Sequence, residues 1–66
     1  MAIQLQNRII VDPKIMVGKP VIKGTRITVE LILRQLAQGL SVEKILENYP
    51  HLAKEDAFAA IAYASQ

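Results

Sequence analysis

Residues 12–28 read DPKIMVGKPVIKGTRIT, and a helical pattern begins directly after them. Within this stretch, Gly18 and Gly24 can take backbone conformations that other residues avoid. Pro13 and Pro20 each bias the residue before them towards extended geometry. The stretch is therefore predicted to be an ordered, turn-rich arm that leads into the first helix.

The chain has 66 residues, which make one small domain with a β-arm at 1–27 and a helical region at 28–66. A domain of this size buries only about 60% of its unfolded surface. It has no cysteine and a single histidine, so neither a disulfide nor a structural zinc site is expected to stabilise it. Oligomerisation is the remaining common source of stability, and we therefore expect a homodimer.

The composition predicts a soluble, cytoplasmic protein. With 52% hydrophobic residues the chain is too apolar to be disordered. It has no run of about 18 apolar residues that would span a bilayer, so no membrane partner is expected. The first ten residues, MAIQLQNRII, lack the apolar stretch of a secretory signal, and the cytoplasm is therefore the expected location.

Positive charge is concentrated in the first half of the chain. The net charge is +2, from eight Lys and Arg against six Asp and Glu. Residues 1–34 hold six of the cations and two of the anions, giving +4, whereas 35–66 hold two cations and four anions, giving −2. Contact with nucleic-acid phosphates is therefore expected at the arm, although cations in this number can equally serve only to solvate it.

Two β-branched runs in the arm predict short strands. The runs consist of Ile9, Ile10 and Val11, and of Val21 and Ile22. Because a two-stranded ribbon is marginal on its own, the strands are expected to pack on the helices or to pair with a partner's strand. The five residues are therefore candidates for a dimer or partner interface.

Amphipathic helices are predicted after the arm. The first has Thr28 as its N-cap and ends before Gly39. Its apolar residues recur at helical spacing along one face: Val29, Ile32, Leu33, Leu36 and Ala37. The second helix is capped by Ser41, and its inward residues are predicted to be Val42, Ile45, Leu46 and Tyr49.

A third helix is predicted to begin near Lys54, where Glu55 and Asp56 suit the positive end of the helix dipole. Its buried stripe is expected to consist of Ala57, Phe58, Ile61 and Ala62. Its exposed positions are expected to include Ala59, Ala60 and Tyr63. The expected fold class is mainly α, with an N-terminal β-arm of two short strands followed by a three-helix bundle.

The motifs of common enzymes are absent from the sequence. Gly24 is followed by Thr25 and Arg26, whereas a phosphate-binding P-loop requires Lys and then Ser or Thr after its second glycine. His51 has no cysteine and no second histidine with which to form a metal or catalytic group, so it is interpreted as an ordinary loop residue. We therefore expect a non-enzymatic protein without a cofactor, metal or small-molecule substrate.

Nearly the whole chain resembles a known prokaryotic family. The elements that carry the resemblance lie between residues 8 and 64 and are Asp12-Pro13, Gly18-Lys19-Pro20-Val21-Ile22, Gly24-Thr25-Arg26-Ile27, Gly39-Leu40-Ser41, Ile45-Leu46 and Tyr49-Pro50. Together they resemble the domain of unknown function 433. The resemblance implies a trihelical fold of the helix-turn-helix, homeodomain-like type. It also implies a VapB-like antitoxin that partners a PIN-type ribonuclease toxin. Members tend to carry Ser or Thr at the position of Ala53, so the third helix here is expected to lack a hydroxyl cap.

The turn between the first two helices carries a second resemblance. The spacing of Gly39, Ser41 and Ile45 resembles that of resolvase-like helix-turn-helix domains, which would place the helix from Lys54 in the major groove. That helix offers almost none of the Arg, Asn or Gln side chains that read base edges. Contact with DNA is therefore expected at Lys19, Lys23, Arg26 and Arg34. Lys54 and Tyr63, on the third helix, complete the set of candidate nucleic-acid contacts.

Two functional interpretations remain open. The first is a DNA-binding antitoxin or transcriptional regulator of a toxin–antitoxin pair. The second is a protein-interaction module or dimeric structural domain that does not contact DNA. Arg26 also has two interpretations, because it can bind a phosphate or close its own turn by bonding carbonyls, and the structural role is slightly favoured.

Overall fold

A three-stranded antiparallel sheet forms the N-terminal part of the protein. The computed structural model describes the backbone of residues 3–65 and the side-chain burial of residues 7–65. The strands are β1 (Ile3–Gln6), β2 (Ile9–Val11) and β3 (Val21–Ile22), in the order β1, β2, β3. The two predicted strands are confirmed as β2 and β3, and β1 is a third strand beyond them.

The strand β2 is the centre of this sheet. In its pairing with β3, Ile9 lies opposite Ile22. Ile10 lies opposite Val21, which also forms a bridge with Thr28 at the start of the helical region. Because β2 has β1 on one side and β3 on the other, both of its edges are paired within the chain.

Three helices follow the sheet. They are α1 (Val29–Ala37), α2 (Val42–Asn48) and α3 (Lys54–Ala64). The expected fold class, mainly α with an N-terminal β-arm and a three-helix bundle, is confirmed. None of the helices within residues 3–65 is long and apolar enough to cross a membrane.

The ends of the first two helices are those that the sequence predicts. Thr28 Oγ1 accepts a hydrogen bond from the Leu31 N–H at 3.0 Å. Ser41 Oγ accepts one from the Lys44 N–H at 3.1 Å. Gly39, just after α1, has a φ of +96°, a conformation that glycine adopts without a steric cost.

The core lies between the sheet and the helices. Residues from β2, β3, all three helices and the loop before α3 contribute to it, and its buried apolar members are Ile9, Val21, Ile22, Val29, Ile32, Ile45, Leu52, Ala57 and Ala60. Burying a side chain such as Ile32 contributes about 1.5–3 kcal/mol. Since the core is small, each of these residues accounts for a large share of the apolar surface removed from water.

Helix α3 presents a different face to the core from the one that the apolar pattern predicts. Phe58 and Ile61 are 50% and 42% exposed, and Ala62 is also exposed. Ala60, which was expected to face solvent, is fully buried, as is Ala57. The predicted stripe is therefore wrong except at Ala57, because the small alanines allow α3 to lie close to the core and leave its larger side chains outside.

Asp56 explains the orientation of α3. This residue is 7% exposed, and its Oδ2 accepts a hydrogen bond from the Ala53 N–H at 2.8 Å. Its Oδ1 accepts one from Arg8 Nη1 at 2.9 Å. As predicted, Ala53 provides no side-chain cap, and the carboxylate of Asp56 satisfies the start of the helix instead.

The loop between β2 and β3 contains an unusual backbone conformation. Met16 and Val17 have φ values of +51° and +56°, in the left-handed region that β-branched residues rarely adopt. Val17 is 93% exposed, so no packing of its side chain offsets this strain. A short 3-10 turn over Met16–Gly18 holds the loop, with the Lys19 N–H donating to the Met16 carbonyl at 3.1 Å.

Candidate functional site

The turn that joins β3 to α1 is closed by one threonine. Thr25 Oγ1 donates to the Ile22 carbonyl at 2.8 Å and accepts from the Ile27 N–H at 3.0 Å. The Ile22 N–H in turn donates to the Ile27 carbonyl at 3.0 Å. Gly24 supplies the positive φ of +83° that the turn requires. The turn therefore carries Lys23 and Arg26 on a fixed backbone.

Arg26 does not close this turn, contrary to the interpretation that the sequence slightly favoured. Its side chain is exposed, and among the described residues it makes neither a hydrogen bond nor an ion pair. The physical reason is that Thr25 already satisfies the carbonyl of Ile22 and the N–H of Ile27. The N–H groups of the Arg26 guanidinium are therefore open to a group outside the described residues.

Two adjoining clefts lie beside this turn. The first, called the basic cleft, has a volume of ≈ 620 Å³ and is lined by Lys23, Gly24, Thr25, Arg26, Ile27 and His51. The second, called the side cleft, has a volume of ≈ 380 Å³ and is lined by Asn7, Arg8, Lys23 and Asp56. Because Lys23 lines both clefts, they form one continuous surface.

The charge of this surface is positive. The basic cleft has two cations, Lys23 and Arg26, and none of its lining residues is acidic. In the side cleft the charge of Asp56 is offset by Arg8, whose side chain remains 45% exposed. An anion at the basic cleft therefore meets one lysine charge and one arginine charge, and no described residue that lines the cleft carries a competing carboxylate.

Lys19 and Arg34 lie elsewhere, on either side of Glu30. Their charged nitrogens are 3.8 Å and 2.7 Å from its carboxylate oxygens. All three side chains are more than half exposed, so the pairs add little to stability, but the glutamate partly neutralises both cations. These two candidate nucleic-acid contacts are therefore less suited to phosphate than Lys23 and Arg26.

Tyr63 and Lys54, the remaining candidates, lie on α3. Tyr63 is half-buried and lines an apolar groove of ≈ 480 Å³ with Pro20, Val29, Glu30, Leu33 and Arg34. Lys54 Nζ lies 5.7 Å from the centre of the Phe58 ring, within the range of a cation–π interaction. The six predicted nucleic-acid contacts thus do not form a single surface, and only Lys23 and Arg26 share the basic cleft.

The candidate interface residues on β2 and β3 are mostly internal. Ile9, Val21 and Ile22 are at most 1% exposed, because they pack in the core of their own chain. Their side chains cannot contact a partner in this conformation, and β2 has no free edge to offer. Ile10 and Val11 are half-buried and are the only two of the five whose side chains reach the surface.

Sequence reasoning did not connect Arg8 or His51 with Lys23 and Arg26. In the sequence, Arg8 counted only as one of the cations in the charge balance. Its ion pair with Asp56 joins positions that are 48 residues apart in the chain. His51 lies in the loop between α2 and α3 and reaches the basic cleft through the packing of the helices. No local sequence signal indicates either position, because both depend on tertiary structure.

An antiparallel β-arm, three helices and the turn at Gly24-Thr25-Arg26 define a small trihelical domain. Residues 9–64 match the model of DUF433, described as a protein of unknown function, and the chain belongs to this family. The expected resemblance to that family is thereby confirmed.

The chain is also similar in sequence to two uncharacterized proteins. The chain is 42% identical over 53 residues to the uncharacterized protein y4eO of Sinorhizobium fredii, a match that covers 80% of this chain and 24% of that protein. It is 67% identical over 28 residues to an uncharacterized protein of Archaeoglobus fulgidus, covering 42% of this chain and 78% of the relative.

The fold is also similar to a crystal structure of a DUF433 member protein from Anabaena variabilis. The two chains are 39% identical with a TM-score of 0.87, and the match covers 94% of this chain and 61% of the other. The chain thus spans less than two thirds of the Anabaena protein and about a quarter of the Sinorhizobium protein.

Proposed function

We propose that this protein is a small DNA-binding regulator that contacts the phosphate backbone through the basic cleft. The observation that carries the proposal is the pair Lys23 and Arg26 on one rigid turn, with Arg26 unpaired among the described residues. The proposal includes a cytoplasmic antitoxin role with a PIN-type toxin as partner. Support for that role comes from the resemblance described in the sequence analysis.

Helix α3 is poorly suited to reading bases in this proposal. Asp56 is buried at its start, Glu55 repels phosphate, and its exposed face carries Phe58 and Ile61. Side chains that discriminate bases are chiefly Arg, Lys, Asn and Gln. Phosphate contacts from the arm supply affinity and position the protein, and they confer little sequence preference by themselves.

Binding of the purified protein to labelled duplex DNA from its own upstream region tests the proposal. The duplex is titrated at low and high salt with the wild type, with Lys23→Ala/Arg26→Ala, and with Lys14→Ala/Lys44→Ala. The last variant is a matched control, since it removes the same charge from exposed positions outside both clefts.

We expect wild-type binding that weakens as salt rises, because phosphate contacts release counterions. The cleft variant should lose this binding, whereas the control should retain most of it. Absence of binding at low salt, or an equal loss in both variants, contradicts the proposal.

A protein-interaction module is the second candidate, and the exposed apolar surface of α3 favours it. Phe58 and Ile61 lie three residues apart and so lie on neighbouring positions of the helix surface. Sedimentation of the wild type and of Phe58→Lys/Ile61→Lys tests whether this surface holds a homodimer. If it does, the wild type is dimeric and the variant is a folded monomer; a dimeric variant excludes this surface as the interface.

A further inference from the structure

We propose that the basic cleft is a binding site for a single phosphate group, held by Arg26, Lys23 and His51. The inference rests on the proposed function and deepens it, since it names the chemical group that the cleft takes and adds His51 as a ligand. The same chemistry is offered by a phosphodiester of nucleic acid and by a free phosphate, and the experiment below separates these two sources.

The β3–α1 turn gives the site a rigid floor. The hydroxyl of Thr25 is used twice, as a donor to Ile22 and as an acceptor from Ile27, so the turn is fixed before any ligand arrives. Lys23 and Arg26 flank its central Gly24-Thr25 pair. Because their backbone is already fixed, less entropy is lost when these two residues bind a ligand.

The backbone at Gly24 is open to a ligand. Apart from Gly24 and its two chain neighbours, no heavy atom of the described residues lies within 4 Å of the place where a Cβ at this position would be. A phosphate oxygen can therefore approach the turn closely, as it does in other glycine-containing phosphate sites. The side chain that a non-glycine residue would add here meets no protein atom but would occupy this space.

Arg26 provides the chemistry that distinguishes a phosphate site from a merely positive surface. A guanidinium presents planar, paired donors that match two phosphate oxygens, whereas an ammonium acts as a point charge. Arg26 has no carboxylate partner in the part of the chain that the structure describes, so a phosphate does not have to displace one.

His51 reaches the cleft from a second element, and its backbone is anchored on both sides. The Leu52 N–H donates to the Tyr49 carbonyl at 2.9 Å, and the Leu52 side chain is 6% exposed in the core. His51 is therefore held at the cleft while its imidazole stays exposed. A ring N–H is a donor to a phosphate oxygen in either protonation state.

A titration of the isotope-labelled protein with inorganic phosphate, followed by NMR at constant ionic strength with chloride as the balancing anion, tests the site. We expect saturable shifts at the amides of Gly24, Thr25 and Arg26 and at the His51 ring. Arg26→Ala should weaken phosphate binding at least tenfold. His51→Ala should weaken it several-fold, and His51→Gln should weaken it less, because glutamine retains an N–H donor.

Lys14→Ala is the control and should leave the phosphate affinity unchanged, and the dispersion of each spectrum shows that each variant is folded. Shifts that spread over all the lysines without saturation, or an unchanged affinity in Arg26→Ala, overturn the inference.

The duplex titration separates this inference from the proposed function. Saturable phosphate binding together with duplex binding that weakens in His51→Ala supports a phosphodiester as the ligand. Saturable phosphate binding without duplex binding supports the site and assigns it a free phosphate, while the DNA proposal fails. Duplex binding that depends on Lys23 and Arg26 but not on His51, without saturable phosphate binding, overturns the site and leaves the DNA proposal standing.

Discussion

Asp56 caps one helix and anchors the β-arm with a single carboxylate. One oxygen accepts from the Ala53 N–H at 2.8 Å and the other from Arg8 at 2.9 Å. Asp56 itself is 7% exposed, whereas the Arg8 side chain is 45% exposed, so the bond to Arg8 is only partly shielded from water. The arm and α3 are thus coupled through one side chain.

We predict that Asp56→Ala lowers the free energy of unfolding by about 1–2 kcal/mol, through loss of the helix cap and of the bond to Arg8. Urea unfolding followed by circular dichroism measures the change. Glu55→Ala is the matched control, since it removes an exposed carboxylate from the adjacent position, and its effect should stay within about 0.5 kcal/mol. Equal effects of the two substitutions would refute the coupling.

Val17 is held in a conformation that suits other residues better. With a φ of +56° and an exposure of 93%, it has strain without compensating packing. We predict that Val17→Asn raises the free energy of unfolding by about 1 kcal/mol, because asparagine tolerates the left-handed region. Val17→Thr keeps the β-branch and should bring no gain in the same unfolding measurement; a gain from both would show that strain is not the cause.

At the scale of elements, caps and breakers predicted the helices well. Thr28, Ser41 and Gly39 act through contacts within a few residues, and such contacts are encoded locally. The apolar stripe of α1 is confirmed at Val29 and Ile32, which are buried, and at Leu33 and Leu36, which pack against the core. It is wrong at Ala37, which is exposed. Local chemistry therefore suffices for the bounds of these elements.

The face of α3 was not predictable in the same way. Its sequence KEDAFAAIAYA offers apolar residues on nearly every side, so periodicity does not choose a buried face. The choice is made by a tertiary contact, the bond of Asp56 with Arg8, and by the small size of Ala57 and Ala60. A pattern that counts hydrophobicity alone favours the larger Phe58 and Ile61.

Two substitutions on α3 separate the predicted face from the observed one. Ala60 is fully buried, so Ala60→Leu should overpack the core and lower the free energy of unfolding by about 1–3 kcal/mol. Ala62 is exposed, so Ala62→Leu should change the free energy of unfolding by less than about 0.5 kcal/mol. Thermal or urea unfolding measures both changes. A larger loss of unfolding free energy in Ala62→Leu than in Ala60→Leu would show that Ala62 faces the core, as in the predicted stripe.

For the whole molecule, the sequence predicted part of the candidate site. Lys23 and Arg26 share one turn, and the sequence named both, but it set them beside four other candidates and slightly favoured a structural role for Arg26. Lys19 and Arg34 were chosen on charge alone, and the fold places Glu30 beside both of them. His51 and Arg8 join the surface only through packing of distant segments, which a single sequence does not reveal.

The proposed DNA contact predicts a defined dependence on salt. Each phosphate neutralised on duplex DNA contributes about −0.9 to the slope of log K against log salt concentration. Because Lys23 and Arg26 hold one phosphate between them, the basic cleft gives a slope of about −0.9 for one protomer and about −1.8 for a homodimer that uses both copies.

Measuring that slope together with the sedimentation experiment tests whether the number of protomers that bind DNA equals the number in the oligomer in solution. A slope near zero would show that phosphate contacts do not drive binding. A slope far steeper than about −1.8 would show that cations outside the basic cleft take part.

The bond between Arg8 and Asp56 also has a consequence for synthesis on the ribosome. It joins residues 48 positions apart, and at about 5–20 residues per second, roughly 2–10 seconds separate the addition of the two residues. During that interval Ile9 and Ile22 have been made, while Ala60, which shares their core, has not. During this interval the apolar residues of the nascent arm therefore lack their packing partners on α3. The domain completes its fold only after α3 has been synthesised.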